Sequence, residues 1–250
     1  MEKPVNIIFL HHSTGKAIWL GNTSKYLYIF GFEGGVQKWF DNYNKGYGTN
    51  YLITERTFPG KEPYGWKNYP YDYYNIWVKN GKEEYYMNEP TLTILSTYFN
   101  VIVWKHCFPV SAIADDSIAN INSEIRSIQN YKLQYNALKK KMHEFSGTKF
   151  IVVTGAALVK NKTNLEQAEK ARDFFNWVKN EWDEKDDNIF IWDLYELETD
   201  GGIYLKDRYA ENDSNSHPNK KFSSAVSPLL CQRIVNVIEG RGDRSSLTGK

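Results

Sequence analysis

Residues 5–16 read VNIIFLHHSTGK, an apolar run that passes directly into a polar segment. The run Val5–Leu10 is almost continuously apolar, which is typical of a strand covered on both faces in a parallel sheet. In open α/β sheets, ligands bind beyond the carboxyl ends of the strands. The polar residues that begin at His11 are therefore predicted to lie at a ligand-binding edge.

Strands and helical patterns alternate along most of the chain. Three more apolar runs predict buried strands: Val101–Trp104, Phe150–Thr154 and Asn188–Trp192. Thr49–Thr54 is the candidate for a fifth strand. Apolar residues at three- and four-residue steps predict helices over Asp116–Phe145, Asn164–Asp183 and Asn219–Glu239. This alternation predicts an α/β fold with a parallel sheet and right-handed crossovers.

Residues 21–100 break the alternation and are rich in Gly, Tyr, Asn and Trp. We predict that they form a long, irregular, aromatic-rich insertion after the first strand, within a single domain that spans residues 1–240. Aromatic residues make up 16% of the chain, and composition alone favours a large aromatic core over a sugar-stacking surface. The polar residues 241–250 are predicted to be a disordered tail.

Composition excludes several classes of protein. With 31 Lys and Arg against 30 Asp and Glu, the 250-residue chain has a formal charge of +1, which argues against a nucleic-acid partner. Cys107 and Cys231 are too few for a disulfide-rich scaffold and are predicted to be buried free thiols, although one disulfide stays open. No apolar run reaches the roughly 18 residues that span a bilayer. Val5–Leu10 is too short for a signal-peptide core, so the protein is either cytoplasmic or a periplasmic or secreted protein that has lost its signal peptide.

Ser13 follows the first strand and precedes a predicted helix. A serine in this position is either a helix N-cap or a nucleophile whose backbone N–H helps to bind an oxyanion. The segment is not a P-loop, because Gly15-Lys16 is followed by Ala17 and no glycine precedes it at the required distance. Neighbouring histidines on a strand point to opposite faces, so His11 and His12 do not predict a metal site.

Histidines also stand at two later points. His217 lies in a Ser/Asn/Asp-rich segment before the last helix, with Asp213 four residues earlier, and is either a surface residue or a general base oriented by a carboxylate. His106 follows the strand at Val101–Trp104 and precedes Cys107. Adjacent residues on a strand diverge, which argues against His106 activating Cys107 as a nucleophile.

A serine after the first strand and an Asp/His pair before the last helix resemble the SGNH, or GDSL-like, hydrolase superfamily, over Val5–Gly15 and Phe150–Glu239. The segments HHSTG and SHPN also resemble an uncharacterised bacterial branch of it. The resemblance implies a flavodoxin-like three-layer α/β/α sandwich with about five parallel strands. It implies a triad of Ser13, His217 and Asp213, with Glu211 as the reserve acid, and no cofactor. The sequence differs from the family in having His11-His12 before Ser13, a spacing to His217 one residue longer, and no asparagine after the strand at Val101.

That last difference leaves the oxyanion donor open. His106 is one candidate, and the backbone N–H groups of Ser13 and of Gly60 or Gly65 are another. The full set of predicted oxyanion or substrate-binding residues is His106, Lys105, His12, Gly15, Trp66 and Tyr71.

The leading hypothesis is a serine esterase that hydrolyses O-acyl esters, O-acetyl esters among them, of a small molecule or glycan. An aromatic group in the segment 21–100 motivates the carbohydrate substrate: Trp39, Trp66, Tyr69, Tyr71, Tyr73, Tyr74 and Trp77. The alternatives are an acyltransferase with the same triad and a non-catalytic glycan-binding protein. A nucleotide-binding domain is disfavoured because no glycine-rich phosphate loop is present. The sequence does not predict the oligomeric state.

Overall fold

The computed structural model describes residues 3–114 and 118–250. Its centre is a five-stranded sheet, formed by β1 (Val5–His11), β2 (Tyr51–Thr57), β3 (Val101–Lys105), β4 (Lys149–Val153) and β5 (Ile189–Trp192). The strand order is β2-β1-β3-β4-β5, and every neighbouring pair is parallel. The predicted α/β fold with a parallel sheet is therefore confirmed, and the candidate fifth strand is β2.

Helices follow the strands along the chain. They are α1 (Ser13–Leu20), α2 (Lys25–Ile29), α3 (Gly35–Tyr47), α4 (Pro70–Tyr74), α5 (Leu92–Tyr98), α6 (Ile128–His143), α7 (Leu165–Trp177), α8 (Leu194–Thr199) and α9 (Lys220–Ile238). One π-helical turn extends each of α4 and α7, at Asn75–Lys79 and Val178–Trp182. Asn164, where the predicted helix begins, caps α7 by accepting the Gln167 N–H at 2.8 Å. No helix among the described residues is long and apolar enough to cross a membrane.

The two faces of the sheet bury separate cores. Ile8 and Leu10 of β1 face a layer that includes α4 to α7, whereas Ile7 and Phe9 face α1, α3 and α9. Strand residues alternate in this way because successive side chains point to opposite faces. Each face therefore needs its own apolar set, which explains the nearly continuous apolar runs of the sequence.

The segment 21–100 is not the irregular insertion that we predict from its composition. It contains α2 to α5 and the edge strand β2, so part of it belongs to the regular alternation of the fold. Seven of the 21 aromatic residues in this segment are buried, and seven more are partly buried and pack against the core. Tyr69, Tyr73, Tyr74 and Trp77 are buried, and Trp39 stacks on Tyr43 at 5.1 Å between ring centroids.

The predicted helix Asp116–Phe145 is too long at its start. Asp116 lies outside the described residues, and α6 begins only at Ile128, after the cap residue Ser127. Polar side chains hold the preceding segment in a non-helical path: the Asn130 amide accepts the Asn120 N–H at 2.8 Å and donates to the Ile125 carbonyl at 3.0 Å. Local bonds of this kind compete with the helix.

The C-terminal residues 241–250 pack against the domain, contrary to the predicted disordered tail. The Asp193 N–H donates to the Leu247 carbonyl at 2.9 Å, and the Trp192 indole donates to the Thr248 carbonyl at 3.1 Å. The buried Arg233 of α9 reaches the same region and donates to the Ser245 hydroxyl at 2.8 Å. Two of these three contacts are made by backbone carbonyls of the segment. Polar side chains in this segment are therefore compatible with its packing against the domain.

Strand order also defines one crevice. The chain leaves β1, forms β2 on one side, and returns to place β3 on the other side of β1. Such a switch point opens a crevice beyond the carboxyl ends of the two strands. The residues that follow β1 and β3, beginning with His12 and His106, therefore border it. Both cysteines are free and buried, as predicted, and Cys107 lies at this crevice.

Candidate active site

Ser13 is the first residue of α1, directly beyond the carboxyl end of β1, and its side chain is exposed. The N-cap of α1 is His12, which makes no side-chain bond to the helix. The Ser13 hydroxyl lies 2.9 Å from Nε2 of His217, 204 residues away in the sequence. The structure therefore excludes the N-cap interpretation of Ser13 and pairs it with the predicted histidine.

A short hairpin carries His217. Its strands are β6 (Ala210–Asn212) and β7 (Asn215–Pro218), which pair antiparallel. The buried Ser216 hydroxyl accepts the Val159 N–H at 3.0 Å, which ties the hairpin to the segment after β4. Phe108 meets the His217 ring edge-on, with 4.9 Å between centroids. These contacts hold the imidazole over Ser13.

The other nitrogen of the imidazole contacts Asn215. Nδ1 of His217 lies 2.7 Å from Oδ1 of Asn215, and the same oxygen accepts the backbone N–H of His217 at 3.1 Å. A backbone N–H only donates, so the amide atom at this point is the oxygen. Nδ1 therefore carries a hydrogen and donates a hydrogen bond to Asn215. Nε2 is left with a lone pair that accepts the hydroxyl proton of Ser13.

Asp213, the predicted partner of His217, does not occupy this position. It is exposed at the turn of the hairpin, and no hydrogen bond or ion pair joins it to His217 within the described part of the chain. Residues two apart on a strand share a face, so Asn215 can reach the ring and a residue at the turn cannot. Glu211 acts on His217 only through its charge. Sequence reasoning missed Asn215 because it searched for a carboxylate.

Burial lowers the pKa of His217 below its usual value of 6.5. The negative charge of Glu211 opposes this shift, and the positive charge of Lys105 adds to it. A lowered pKa keeps the imidazole neutral near pH 7, which is the form that accepts a proton.

Ser13 and His217 open into a cleft of about 470 Å³. Trp66 forms part of its wall and stacks on His12, with 4.4 Å between ring centroids. Nε2 of His12 lies 2.6 Å from the Pro59 carbonyl, which fixes the ring under the indole. The Trp66 side chain is 58% exposed, so one face of it is open to a ligand. Tyr71 does not line this cleft; it packs near Tyr69 and Tyr74.

His106 points away from the cleft, contrary to its predicted part in oxyanion binding. It is buried on the opposite face of the sheet, and its ring meets Tyr73, Trp104 and Tyr135. Burial and the nearby charge of Lys105 lower the pKa of His106 well below its usual value. Lys105 points towards α1 instead, because neighbouring strand residues diverge.

Gly15 has a packing role beneath Ser13. A Cβ atom at this position would lie 2.3 Å from Cβ of His11, so only glycine lets α1 approach β1 this closely. Nε2 of His11 lies 2.7 Å from Oε2 of Glu55, and Lys16 forms an ion pair with the same carboxylate. The glycine is therefore needed for the position of the helix that carries Ser13.

Gly60, a predicted oxyanion donor, is not free for that part. The Gly60 N–H donates to the Glu89 carboxylate at 2.8 Å, so it does not point into an oxyanion site.

No group of three or more His, Cys, Asp or Glu side chains suited to a metal ion occurs in the described ranges. A second cavity, of about 460 Å³, lies at the amino end of the sheet near Asn6 and Asn100 and has neither a histidine nor a carboxylate among its described lining residues.

The chain is similar to known proteins in structure. No family model and no curated protein matches the chain. A carbohydrate esterase family 2 enzyme from Corynascus thermopiles, solved with its carbohydrate-binding domain, has a TM-score of 0.50 at 12% identity, over 96% of this chain and 69% of that one. A carbohydrate acetylesterase from Xanthomonas citri has a TM-score of 0.50 at 10% identity, over 94% of this chain and 57% of that one. At these identities the likeness is one of fold.

Proposed function

We propose that the protein is a serine esterase of the SGNH type that acts on O-acylated, in particular O-acetylated, carbohydrate. The observation that carries the proposal is the contact of 2.9 Å between the Ser13 hydroxyl and Nε2 of a histidine whose Nδ1 proton is engaged by Asn215. This geometry suits a nucleophile beside its general base. In this proposal the triad is Ser13, His217 and Asn215, with Asn215 in place of the predicted Asp213.

The reaction follows from the proton positions. Ser13 Oγ attacks the ester carbonyl carbon while His217 Nε2 takes the hydroxyl proton. The imidazolium keeps its Nδ1–H bond to Asn215, and Nε2 then protonates the departing alcohol oxygen. Water next attacks the acyl group on Ser13, with His217 again accepting a proton. The carboxylic acid leaves, and Ser13 recovers its hydroxyl proton from Nε2.

The start of α1 offers donors for the oxyanion. No side chain caps its first turn in the described structure, and the helix begins at Ser13 itself. The first N–H groups of a helix have no partner within the helix, and the helix dipole favours negative charge there. The backbone N–H of Ser13 is therefore our candidate donor, in place of His106.

Two features favour a carbohydrate ester. Trp66 presents an open indole face at the cleft that holds Ser13, and sugar rings stack on such faces. The two structural relatives described above are carbohydrate esterases by name. Transfer of the acyl group to a sugar hydroxyl would use the same residues, and the acceptor that the cleft admits decides between transfer and hydrolysis.

Labelling with a fluorophosphonate serine probe tests the proposal. We expect wild type to be labelled on the Ser13 peptide, identified by mass spectrometry, and labelling to be lost in Ser13→Ala and His217→Ala. Acetate release from O-acetylated glycosides then tests the substrate class, with the deacetylated glycosides as blanks. A folded wild type that neither labels nor releases acetate would contradict the proposal and favour non-catalytic glycan binding.

A further inference from the structure

A second set of polar contacts, separate from that of His217, reaches Ser13. The Lys105 ammonium donates to the Thr14 hydroxyl at 2.7 Å and to the His106 carbonyl at 2.7 Å. The Thr14 hydroxyl lies 3.8 Å from Sγ of Cys107, and the same sulfur lies 3.6 Å from Ser13 Oγ. Both oxygen–sulfur distances are longer than a hydrogen bond between two oxygen atoms but lie within the range of hydrogen bonds to sulfur.

Every member of this set other than Ser13 is buried. Lys105 and Thr14 are fully buried, and Cys107 is 6% exposed. A lysine is almost never fully buried unless its charge is paired, because removing that charge from water is costly. One of the two hydrogen bonds of Lys105 ends on Thr14, which directly follows the proposed nucleophile in the sequence.

The two ends of the chain of contacts determine its direction. An ammonium has donors only, so Thr14 accepts from Lys105 and must donate its own proton to Cys107. The thiol is then free to donate to Ser13 Oγ. At the far end, the Asn215 oxygen accepts only, so the imidazole donates from Nδ1 and accepts from Ser13 at Nε2. All donors therefore point from Lys105 towards Asn215.

We propose that Lys105, Thr14 and Cys107 form a one-way hydrogen-bond relay that directs the Ser13 proton to His217 and stabilises negative charge on Ser13 Oγ as that proton leaves. This inference rests on the proposed function. No proton travels along the relay: the only proton that moves is that of Ser13, which goes to Nε2. Cys107 touches the reacting oxygen, whereas Lys105 and Thr14 act through it as positioning residues.

The charges around the relay favour this arrangement. Burial lowers the pKa of Lys105, and the buried Glu198 of α8 opposes that shift and helps to keep the ammonium charged. Burial raises the pKa of Glu198 to about 7. The other titratable groups that face the relay or its histidine are His12, His106 and Glu211. Loss of the Lys105 charge should therefore raise the pKa of His217.

The test compares removal of each hydrogen bond with its conservative restoration. Thr14→Val removes the hydroxyl at nearly constant volume and Thr14→Ser keeps it; Cys107→Ala removes the donor and Cys107→Ser keeps one. We expect the fluorophosphonate labelling rate to fall at least tenfold in the Val and Ala variants and to recover largely in the Ser variants. Cys231→Ala, which removes the other buried thiol, is the matched control and should label like wild type.

NMR titration of His217 gives a readout that needs no catalysis. A stronger donor at Ser13 stabilises the neutral imidazole, so the pKa of His217 should rise in Thr14→Val, Cys107→Ala and Lys105→Met and return in Thr14→Ser. Labelling at the wild-type rate in Thr14→Val and Cys107→Ala would overturn the relay while leaving the esterase proposal intact. Ser variants as slow as the Val and Ala variants would also overturn it, because packing would then explain the loss. An unlabelled wild type whose His217 pKa still shifts as expected would support the relay and reject the esterase.

Discussion

Oδ1 of Asn215 accepts two hydrogen bonds from His217, one from the ring at 2.7 Å and one from the backbone at 3.1 Å. An uncharged amide thus orients the imidazole where the sequence suggests a carboxylate. Because an amide adds no negative charge, it leaves the pKa of His217 to burial, Glu211 and Lys105. Asn215 therefore determines the tautomer of His217 without adding a charge that would raise its pKa.

Replacing Asn215 should impair the site more than replacing Asp213. In Asn215→Ala the Nδ1 proton loses its acceptor, and we expect esterase turnover to fall on the order of 10²-fold or more. Asp213→Ala is the control within the same hairpin and should keep turnover within about threefold, since Asp213 is exposed and apart from the ring. Steady-state kinetics on an acetyl ester checks both. The reverse order of effects would reinstate Asp213 as the partner.

The pH dependence of kcat/KM should follow the titration of His217. Only the neutral imidazole accepts the Ser13 proton, and burial lowers its pKa below 6.5, so activity should rise with pH along an acid limb whose midpoint lies below pH 6.5. In Asn215→Asp the added negative charge should move the acid limb to higher pH. A limb that does not move in this variant would count against His217 as the base.

Gly15→Ala should destabilise the protein and slow the proposed esterase reaction together. The new Cβ would meet Cβ of His11 at 2.3 Å, so α1 must shift and carry Ser13 with it. We expect a loss of about 1–3 kcal/mol in the free energy of unfolding, measured in urea. Gly46→Ala, in α3 with open space around it, is the control and should be neutral or slightly stabilising.

Trp66→Ala should separate sugar esters from small esters. Trp66 lines the cleft but has no part in the proton transfers that we propose for Ser13 and His217. We expect KM for an O-acetylated oligosaccharide to rise about tenfold, with kcat/KM for a small aryl acetate changed far less. Trp66→Phe, which keeps a ring, should recover part of the loss. Equal losses on both substrates would assign Trp66 to the shape of the site and not to sugar binding.

Glu55→Gln should lower stability in a pH-dependent way. Burial opposes ionisation of Glu55, but bonds from His11, Lys16 and Tyr28 outweigh it and lower its pKa from 4.5 to about 2. A lowered folded-state pKa stabilises the protein above about pH 4.5, and the gain is lost as the pH falls through about 2. Wild type should exceed the variant by up to about 3 kcal/mol at pH 7 and by less than about half of that at pH 3.

A surface carboxylate provides the control for that comparison. Glu144 pairs with Lys141 at 2.6 Å, but its side chain is 59% exposed. Glu144→Gln should therefore change the unfolding free energy little at either pH, because exposed ion pairs are weak. Urea denaturation of the three proteins at both pH values checks the prediction. An equal deficit of Glu55→Gln at pH 7 and pH 3 would contradict it.

The sheet could be predicted from the sequence because its signal is local. Runs such as Val5–Leu10 and Val101–Trp104 are apolar on both faces, and the strand order that follows is one of few that parallel sheets adopt. The pairing of Ser13 with His217 could be proposed only through a family resemblance, since 204 residues separate them. The contacts of Asn215, and those among Lys105, Thr14 and Cys107, could not be predicted from the sequence. They depend on the direction in which each side chain points near the end of its strand.

Failures of prediction had a common physical origin. Buried aromatic residues such as Tyr73 and Trp77 read as a binding surface, because the sequence shows residue type and not burial. Residues 241–250 were predicted to be a disordered tail because the backbone hydrogen bonds that hold them do not depend on residue type. His106 was predicted to be a site residue, but the sequence does not show which of two adjacent side chains faces the site. Lys105 is the one that faces α1.

The last strand of the sheet, β5, has its outer edge already occupied. The Trp192 carbonyl bonds inward to the Thr154 N–H, so the Ile191 carbonyl faces outward, where the Arg233 side chain donates to it at 2.7 Å. The outward Asp193 N–H is taken by the Leu247 carbonyl. A strand from another molecule therefore finds these positions filled, and the C-terminal segment protects the sheet against edge-to-edge association on this side.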